Sequence, residues 1–136
     1  MSLNTYINNL EEKRIYDIYL DIQEKYEKIY GDNTIVLMAV GDFREIYGFN
    51  LDGIKQGKAH EISSKLNILL TSKNKSKPHA KDNPYMCGFN IHCEDRFIEL
   101  LINLNYTCIM VDQTTKNEHF NNMNREVTQI ISPATY

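Results

Sequence analysis

The chain has 136 residues and a formal net charge of −3, which suits one domain with its own hydrophobic core. The acidic balance argues against free-standing, non-specific binding to nucleic acid, because phosphate neutralisation by basic side chains dominates such binding. Three loosely spaced cysteines, with no apolar run of bilayer length and no signal-peptide pattern, predict an intracellular protein without a disulfide framework or a membrane segment.

The first predicted elements are a helix and a strand. Apolar side chains recur at helical spacing from Glu11 to Tyr30, and Gly31 follows at the position where a glycine commonly ends a helix. The run from Thr34 to Val40 is short, apolar and bounded by turn residues, which is typical of a buried central strand. Gly41 and Asp42 interrupt this run, so we expect a turn there.

The next segment is predicted to contain little sheet. Phe43 to Tyr47 is interpreted as one helical turn, and a loop that includes Gly48 and Gly53 follows it. Lys58 to Leu66 is then predicted as a second helix, and Asn67 to Thr71 as a strand.

The second half of the chain repeats the alternation. Ser72 to Asn83 is polar and predicted as an exposed loop or hairpin tip, and Pro84 to Phe89 is predicted as the returning strand. The remaining elements are a helix at Glu94 to Asn105, a strand at Tyr106 to Val111, a polar mobile segment at Asp112 to Asn124 and a strand at Arg125 to Ile131. Strands that alternate with helices, with one helix-free connection, predict an α/β (α+β) fold. We expect one domain over residues 1–136, with a mixed sheet of about five strands flanked by helices.

Two constellations suggest bound ligands but do not have the required spacing. Gly53, Gly57 and Lys58 resemble a phosphate-binding loop, but three residues instead of four separate the glycines, and Ala59 replaces the hydroxyl residue. Cys87, His92 and Cys93, even with His60 and His79, contain no pair of cysteines at zinc-site spacing. We therefore expect no metal site.

A third constellation leaves alternatives open. Asp42, Glu45 and His92 could hold a metal ion and activate water, as in a small nuclease, although the lysine of a common nuclease motif is missing. A surface or capping role is the simpler interpretation for Asp42. Phe43 follows a predicted strand end directly, and the residues by themselves favour its burial in the core.

The sequence of segments resembles domain I of the MutS mismatch repair family. Gly41-Asp42-Phe43-Arg44-Glu45 resembles the Gly-Asp-Phe-x-Glu motif of that family. Segments that resemble the rest of the domain follow in the same order: Ala59 to Lys73, Met86-Cys87-Gly88 with His92, Phe97 to Gln113, Arg125-Glu126-Val127 and Ile131 to Thr135. The departures are a longer stretch between Tyr47 and His60, Asn90 in place of a proline and Ala134 in place of a glycine.

The resemblance implies a role for each residue of the motif. Phe43 would enter the minor groove and stack on a mispaired base, and Glu45 would form a hydrogen bond with that base. The candidate phosphate contacts are the cations near the motif and in the polar loop, namely Arg44, Lys73, Lys75, Lys77 and Lys81. The expected partners are double-stranded DNA with mismatches or unpaired bases, the other domains of a larger protein, and a second copy of that protein in a homodimer.

The resemblance implies a non-catalytic DNA-binding domain without a cofactor of its own. ATP and Mg²⁺ would belong to an ATPase elsewhere in the larger protein. Two alternatives remain open at this point. One is a protein-interaction module that keeps the fold but does not read mismatches, and the other is the metal-dependent nuclease that would use Asp42 and Glu45.

Overall fold

The computed structural model describes residues 14–117 and 122–136. Its helices are α1 (Ile15–Tyr30), α2 (Ala59–Leu66) and α3 (Glu94–Asn103), and a 3₁₀ turn at Ile91–Cys93 precedes α3. Its strands are β1 (Thr34–Val40), β2 (Phe43–Leu51), β3 (Ile54–Gly57), β4 (Thr71–Ser72), β5 (Tyr85–Asn90), β6 (Thr107–Asn117) and β7 (Asn122–Ile131).

The strands form one mixed sheet with the order β4-β5-β2-β1-β6-β7, and β3 pairs with β2 outside this path. Strands β1 and β6 are parallel, and the other pairs are antiparallel. The predicted α/β fold with a mixed sheet and flanking helices is confirmed. The described residues form seven strands where about five were expected, and β2 and β3 account for the difference.

The prediction of a helical turn at Phe43 to Tyr47 is wrong, because this segment begins the nine-residue strand β2. Val40 pairs with Phe43 across a two-residue turn made of Gly41 and Asp42. Gly41 has a φ of 58°, which is the conformation that a type II′ hairpin turn requires at its first central residue. Strands β1 and β5 pair with β2 on its two sides, and this tertiary pairing decides its conformation.

The predicted loop around Gly48 and Gly53 is also sheet. Strand β2 continues to Leu51 and returns as β3 through a two-residue turn at Asp52 and Gly53, where both residues have positive φ. Asp-Gly is a favoured pair for such a turn. The glycines that resembled a phosphate loop therefore lie at the two ends of a hairpin strand, in agreement with the sequence argument against that loop.

Three further boundaries differ from the predictions. Asn67 ends α2 in the left-handed conformation, so the strand predicted at Asn67 to Thr71 is limited to Thr71–Ser72. The segment predicted as mobile at Asp112 to Asn124 belongs to β6 and β7 in its described parts, and residues 118–121 lie outside the described residues. Residues 11–13 of the predicted first helix also lie outside the described residues, and Arg14 is the N-cap of α1 and not part of the helix.

Helices cover both faces of the sheet. Helix α1 packs on one face, where the Tyr19 hydroxyl donates to the Val36 carbonyl at 2.7 Å. The buried Gln23 side chain donates to the carbonyl of Thr34 at 2.7 Å and accepts from the amide of Val36 at 2.8 Å, which fixes α1 against β1. Helices α2 and α3 pack on the opposite face, where Cys87 contacts the carbonyl of Ala59.

Candidate functional site

Phe43 is exposed at one end of the sheet. It is the first residue of β2, directly after the turn at Gly41 and Asp42, and pairs with Val40 and Asn90 on the neighbouring strands. Its side chain is 50% exposed, so the core burial favoured by the residues alone is wrong. The backbone amide of Ile91 donates to the carbonyl of Asp42 at 2.8 Å, which holds the turn against the end of β5. An aromatic side chain is therefore presented from a backbone that neighbouring strands hold on both sides.

Glu45 lies behind Phe43 on the same face of β2, because side chains alternate along a strand. Its side chain is only 13% exposed, and the ammonium of Lys73 lies 2.9 Å from its Oε1 atom. The hydroxyl of Tyr47 donates a hydrogen bond to the same oxygen. Burial, followed by the charge of Glu45 and this hydrogen bond, raises the pKa of Tyr47, so the hydroxyl remains a donor. Glu45 is thus held by a cation and a neutral donor.

Arg125 brings a second cation toward this carboxylate from β7. Its Nε atom donates to the Ala39 carbonyl at 3.4 Å. Burial lowers the pKa of Arg125, and electrostatic interactions with the neighbouring Tyr47 and Glu45 side chains oppose that shift. The site therefore combines one half-exposed aromatic ring with a largely buried carboxylate whose charge is compensated locally.

The contributions of Tyr47 and Arg125 were missed in the sequence. Tyr47 stands two residues after Glu45, and its place on the same face would have followed if β2 had been predicted as a strand. Arg125 was noted only as part of a closing motif, and its position depends on the pairing of β7 with β6, which sequence periodicity does not give.

Arg44 does not lie on this face, and its burial does not favour the predicted phosphate contact, which stays a prediction. Its side chain is buried, with Nε 2.7 Å from Glu94 and Nη1 2.8 Å from Asp112. The Nη1 atom also donates to the carbonyls of Val111 at 3.0 Å and Leu37 at 3.3 Å. A guanidinium committed to two carboxylates and two carbonyls has a structural role.

Of the four loop lysines, Lys73 is the one that the structure brings to Glu45. The loop between β4 and β5 follows Lys73 and includes the exposed residues Lys75, Lys77 and Lys81. The loop joins β5 at Tyr85, whereas Phe43 pairs with Asn90 at the other end of that strand. Five residues of strand separate Tyr85 from Asn90, which is about 16 Å. Phosphate contacts by Lys75, Lys77 and Lys81 stay a prediction, and the loop that carries these lysines begins far from Phe43 along the sheet.

The same loop is organised by a buried residue that the sequence did not single out. The Asn83 amide nitrogen donates to the carbonyls of Asn74 at 3.0 Å, Lys77 at 3.1 Å and Pro78 at 3.0 Å, and its oxygen accepts from the Asn74 amide at 2.8 Å. His79 stacks on Tyr85 with ring centroids 3.7 Å apart. The expectation of an exposed loop is correct for Lys75, Lys77 and Lys81, but Lys73 is only partly exposed and the buried Asn83 holds the backbone of the loop together.

The other candidate ligands do not converge. The thiols of Cys87 and Cys108 are buried and that of Cys93 is exposed. Among the described residues, no group of three or more histidine, cysteine and acidic side chains is arranged to hold a metal ion. The Glu45 carboxylate, which the nuclease hypothesis would use, is engaged by Lys73 and Tyr47. None of the helices in the described ranges has the length and hydrophobicity needed to cross a membrane.

These features define a small α/β domain that presents an aromatic side chain, backed by a carboxylate, at one end of a mixed sheet. The chain belongs to the MutS domain I family, whose model matches residues 14–136. It is 34% identical over 119 residues to the DNA mismatch repair protein MutS of Streptococcus mutans, covering 86% of this chain. It is 29% identical over 144 residues to that of Rickettsia africae, covering 99% of this chain.

A viral relative is similar to the same extent. The chain is 30% identical over 128 residues to a protein of Acanthamoeba polyphaga mimivirus that is described as a DNA mismatch repair protein mutS homolog, with 93% of this chain covered. The chain spans 11% of the length of this relative, 12% of the Streptococcus mutans protein and 15% of the Rickettsia africae protein.

Proposed function

We propose that this chain is the domain with which a MutS-type repair protein senses mispaired or unpaired bases in double-stranded DNA. The observation that carries the proposal is the half-exposed Phe43 at the tip of the β1–β2 hairpin, with Glu45 behind it on the same face. Family membership over residues 14–136 and the matching Gly-Asp-Phe-x-Glu motif support the same role.

An exposed phenylalanine suits a sensor that must recognise many different mismatches. Unstacking a base step costs a few kcal/mol, and apolar wedges inserted from the minor groove are the usual means of doing so. That cost is smallest where base pairing is already damaged, which favours insertion at a mismatch. Stacking on an aromatic ring returns about 1–3 kcal/mol and tolerates any base, since each base has a π-face. Phe43 would therefore select weak pairing instead of a particular sequence.

Glu45 would add discrimination through the displaced base. A carboxylate brought near phosphates is repelled, and a hydrogen bond from the displaced base can offset this penalty only where a base is available. On matched DNA the penalty would remain, so the carboxylate favours mismatched over matched duplex even where it adds little net affinity.

We further propose that the chain acts as a non-catalytic part of a longer protein. Its charge of −3 is unfavourable for binding phosphates without help from other domains. The chain spans only 11 to 15% of the length of these relatives, which leaves room for other DNA-binding and ATP-dependent domains. In this proposal, ATP and Mg²⁺ act outside the chain, and two copies of the longer protein embrace the duplex.

Replacing Phe43 tests the proposal directly. In the longer protein, Phe43→Ala should reduce the preference for mismatched over matched duplex by about 5- to 150-fold, because loss of a stack worth about 1–3 kcal/mol affects only the mismatched complex. Fluorescence anisotropy with labelled duplexes that differ by one base pair measures this preference.

Ile54→Ala is the matched control, because Ile54 is also an exposed apolar side chain but lies beyond the far end of β2, about 26 Å from Phe43 by strand rise. It should leave the preference unchanged. Equal discrimination by Phe43→Ala and the parent protein would refute the proposal and favour the protein-interaction alternative.

A further inference from the structure

We infer that Lys73 is a specificity-determining residue that exchanges the Glu45 carboxylate for a DNA phosphate when a mispaired base engages Glu45. The inference rests on the proposed function and deepens it, because it couples the base contact of Glu45 to a backbone contact of Lys73. A simple phosphate contact by Lys73 would act equally on matched and mismatched DNA.

The geometry places Lys73 between two environments. Its ammonium lies 2.9 Å from Glu45 Oε1 and 5.5 Å from the centroid of the Tyr47 ring, yet about a third of the side chain is exposed. Its backbone amide donates to the Pro84 carbonyl at 2.9 Å, so the β4–β5 hairpin anchors the start of this long side chain. The ammonium is therefore anchored at its base and reaches from solvent to a largely buried carboxylate.

On matched DNA, moving the ammonium to a phosphate is unfavourable. Glu45 is 13% exposed, so loss of Lys73 would leave a carboxylate that water compensates poorly, with Tyr47 and Arg125 as its remaining support. The attraction that the ammonium gains at the phosphate would be about as large as the attraction that it loses at Glu45. The Lys73–Glu45 pair is therefore expected to stay closed, and Lys73 to contribute little to binding of an intact duplex.

On mismatched DNA, the balance is different. A displaced base that donates to Glu45 takes the place of the ammonium, and Lys73 becomes available to a phosphate without leaving the carboxylate unsatisfied. The base contact and the phosphate contact then form together. In the free domain Lys73 therefore weakens the repulsion between Glu45 and phosphates without abolishing it, and we expect only a mismatch to open this ion pair.

The dependence of affinity on salt concentration distinguishes exchange from simple contact. Each phosphate neutralised on duplex DNA adds about 0.9 to the slope of log affinity against log salt concentration. We expect the slope of the parent protein to be steeper by about 0.9 on mismatched than on matched DNA. Lys73→Gln should abolish this difference and lower the mismatched-to-matched affinity ratio by about tenfold.

Two further variants and a matched control complete the experiment, which uses the longer protein that carries this chain. Glu45→Gln should release Lys73 on both duplexes, so the slope on matched DNA rises to that on mismatched DNA. Lys73→Arg keeps the charge and should preserve the difference in slope. Lys75→Gln is the matched control, since this exposed lysine of the same loop should change both slopes by the same amount.

The outcomes separate this inference from the proposed function. If the parent protein prefers mismatched DNA but its salt slopes on the two duplexes are equal, the exchange is overturned and the proposed function is not. A slope difference that persists in Lys73→Gln, or equal losses on both duplexes as in Lys75→Gln, also overturns it. If the parent protein shows no mismatch preference, the proposed function fails and the exchange fails with it.

Discussion

Arg44 lies on the face of β2 opposite to Phe43 and Glu45, and this alternation gives adjacent residues opposite roles. Phe43 is half exposed, whereas Arg44 is buried against Glu94 and Asp112. The guanidinium joins β2 to α3 and to the middle of β6, so it braces the strand that carries the candidate sensor. Its effect on function would therefore be indirect and would appear first in the stability of the domain.

Removing the Arg44 charge should lower the free energy of unfolding. Arg44→Gln removes both ion pairs of Arg44, and we expect a loss of about 2–4 kcal/mol, because the two carboxylates are partly exposed and recover some hydration. Urea unfolding followed by circular dichroism measures it. Lys28→Gln, which breaks an exposed pair with Glu24, is the control and should change stability very little.

A different result would favour the predicted phosphate contact of Arg44. If Arg44→Gln and Lys28→Gln are equally stable, and only the Arg44 variant loses affinity for DNA, then Arg44 contacts phosphates and its buried position does not describe the bound state.

At the scale of elements, the β4–β5 connection shows how a polar segment gains a defined conformation. Asn83 is buried, and its side chain makes four hydrogen bonds with the backbone of the loop. His79 adds a stacked contact with Tyr85 and accepts a hydrogen bond from the Asn50 amide at 3.2 Å. His79 therefore attaches the loop to strands β2 and β5, and the hydrogen bond from the Lys73 amide to the Pro84 carbonyl fixes the backbone of Lys73.

Truncating Asn83 should loosen this loop. Asn83→Ala removes the side-chain partner of three loop carbonyls and one amide, for a loss of about 1–3 kcal/mol in the free energy of unfolding. Cleavage by trypsin within the lysine-rich loop should accelerate as well. Peptide mapping by mass spectrometry identifies the cleaved bonds.

Ser76→Ala is the matched control, since Ser76 is exposed in the same loop. It should leave both stability and the cleavage rate near the parent values. A loop in the Asn83→Ala protein that resists trypsin as well as the control would mean that the sheet contacts suffice to order it.

At the scale of the whole molecule, the core contains ionisable groups that folding keeps protonated. Burial raises the pKa of Cys87 and Cys108 from 9.0 to about 12, and it raises the pKa of Tyr19 and Tyr47 above 10.0. A group whose pKa is raised by folding favours the native state below its unfolded pKa. That contribution is lost as the pH rises from the unfolded toward the folded value.

Stability should therefore be lost in alkali and not near neutrality. Unfolding above pH 9 releases protons from both buried thiols, so the free energy of unfolding should fall by about 1.4 kcal/mol per pH unit for each ionised thiol. Urea midpoints in the presence of reductant should be constant from about pH 7 to 8 and fall above pH 9. A midpoint that stays constant to pH 10.5 would contradict the burial of these thiols.

Variants that lack one cysteine show which thiol causes the loss of stability in alkali. Cys108→Ala should reduce the slope of stability against pH by the contribution of one thiol, whatever its effect on absolute stability. Cys93→Ala should leave the slope unchanged, because Cys93 is exposed.

The sequence predicted the elements whose signal is local. Helix α1 and strand β1 were placed within a few residues, because one stripe or one run of apolar side chains reports burial directly. The resemblance to MutS domain I was also carried by short motifs in a fixed order, and the family match over residues 14–136 confirms it. The motif residues Phe43 and Glu45 were selected on that basis, and their roles at a mismatch remain predictions.

Strand β2 could not be recognised in the same way. Its burial pattern arises from neighbours on both sides, β1 and β5, and the apolar alternation is interrupted by Arg44 and by Gly48. A buried arginine reads as a surface residue in a sequence, because only its distant partners make burial acceptable. The Gly-Asp turn was the one local signal that could have indicated a hairpin.

The sequence by itself therefore determined the family and the fold class, and the family motif within it singled out Phe43 as the candidate sensor. The tertiary structure alone decided which side chains accompany it. Glu45 and Lys73 are 28 positions apart, and the register of three strands brings them within 2.9 Å. Local periodicity records whether a residue faces the core, but the pairing of charges depends on strand register, which is set by the packing of the whole sheet.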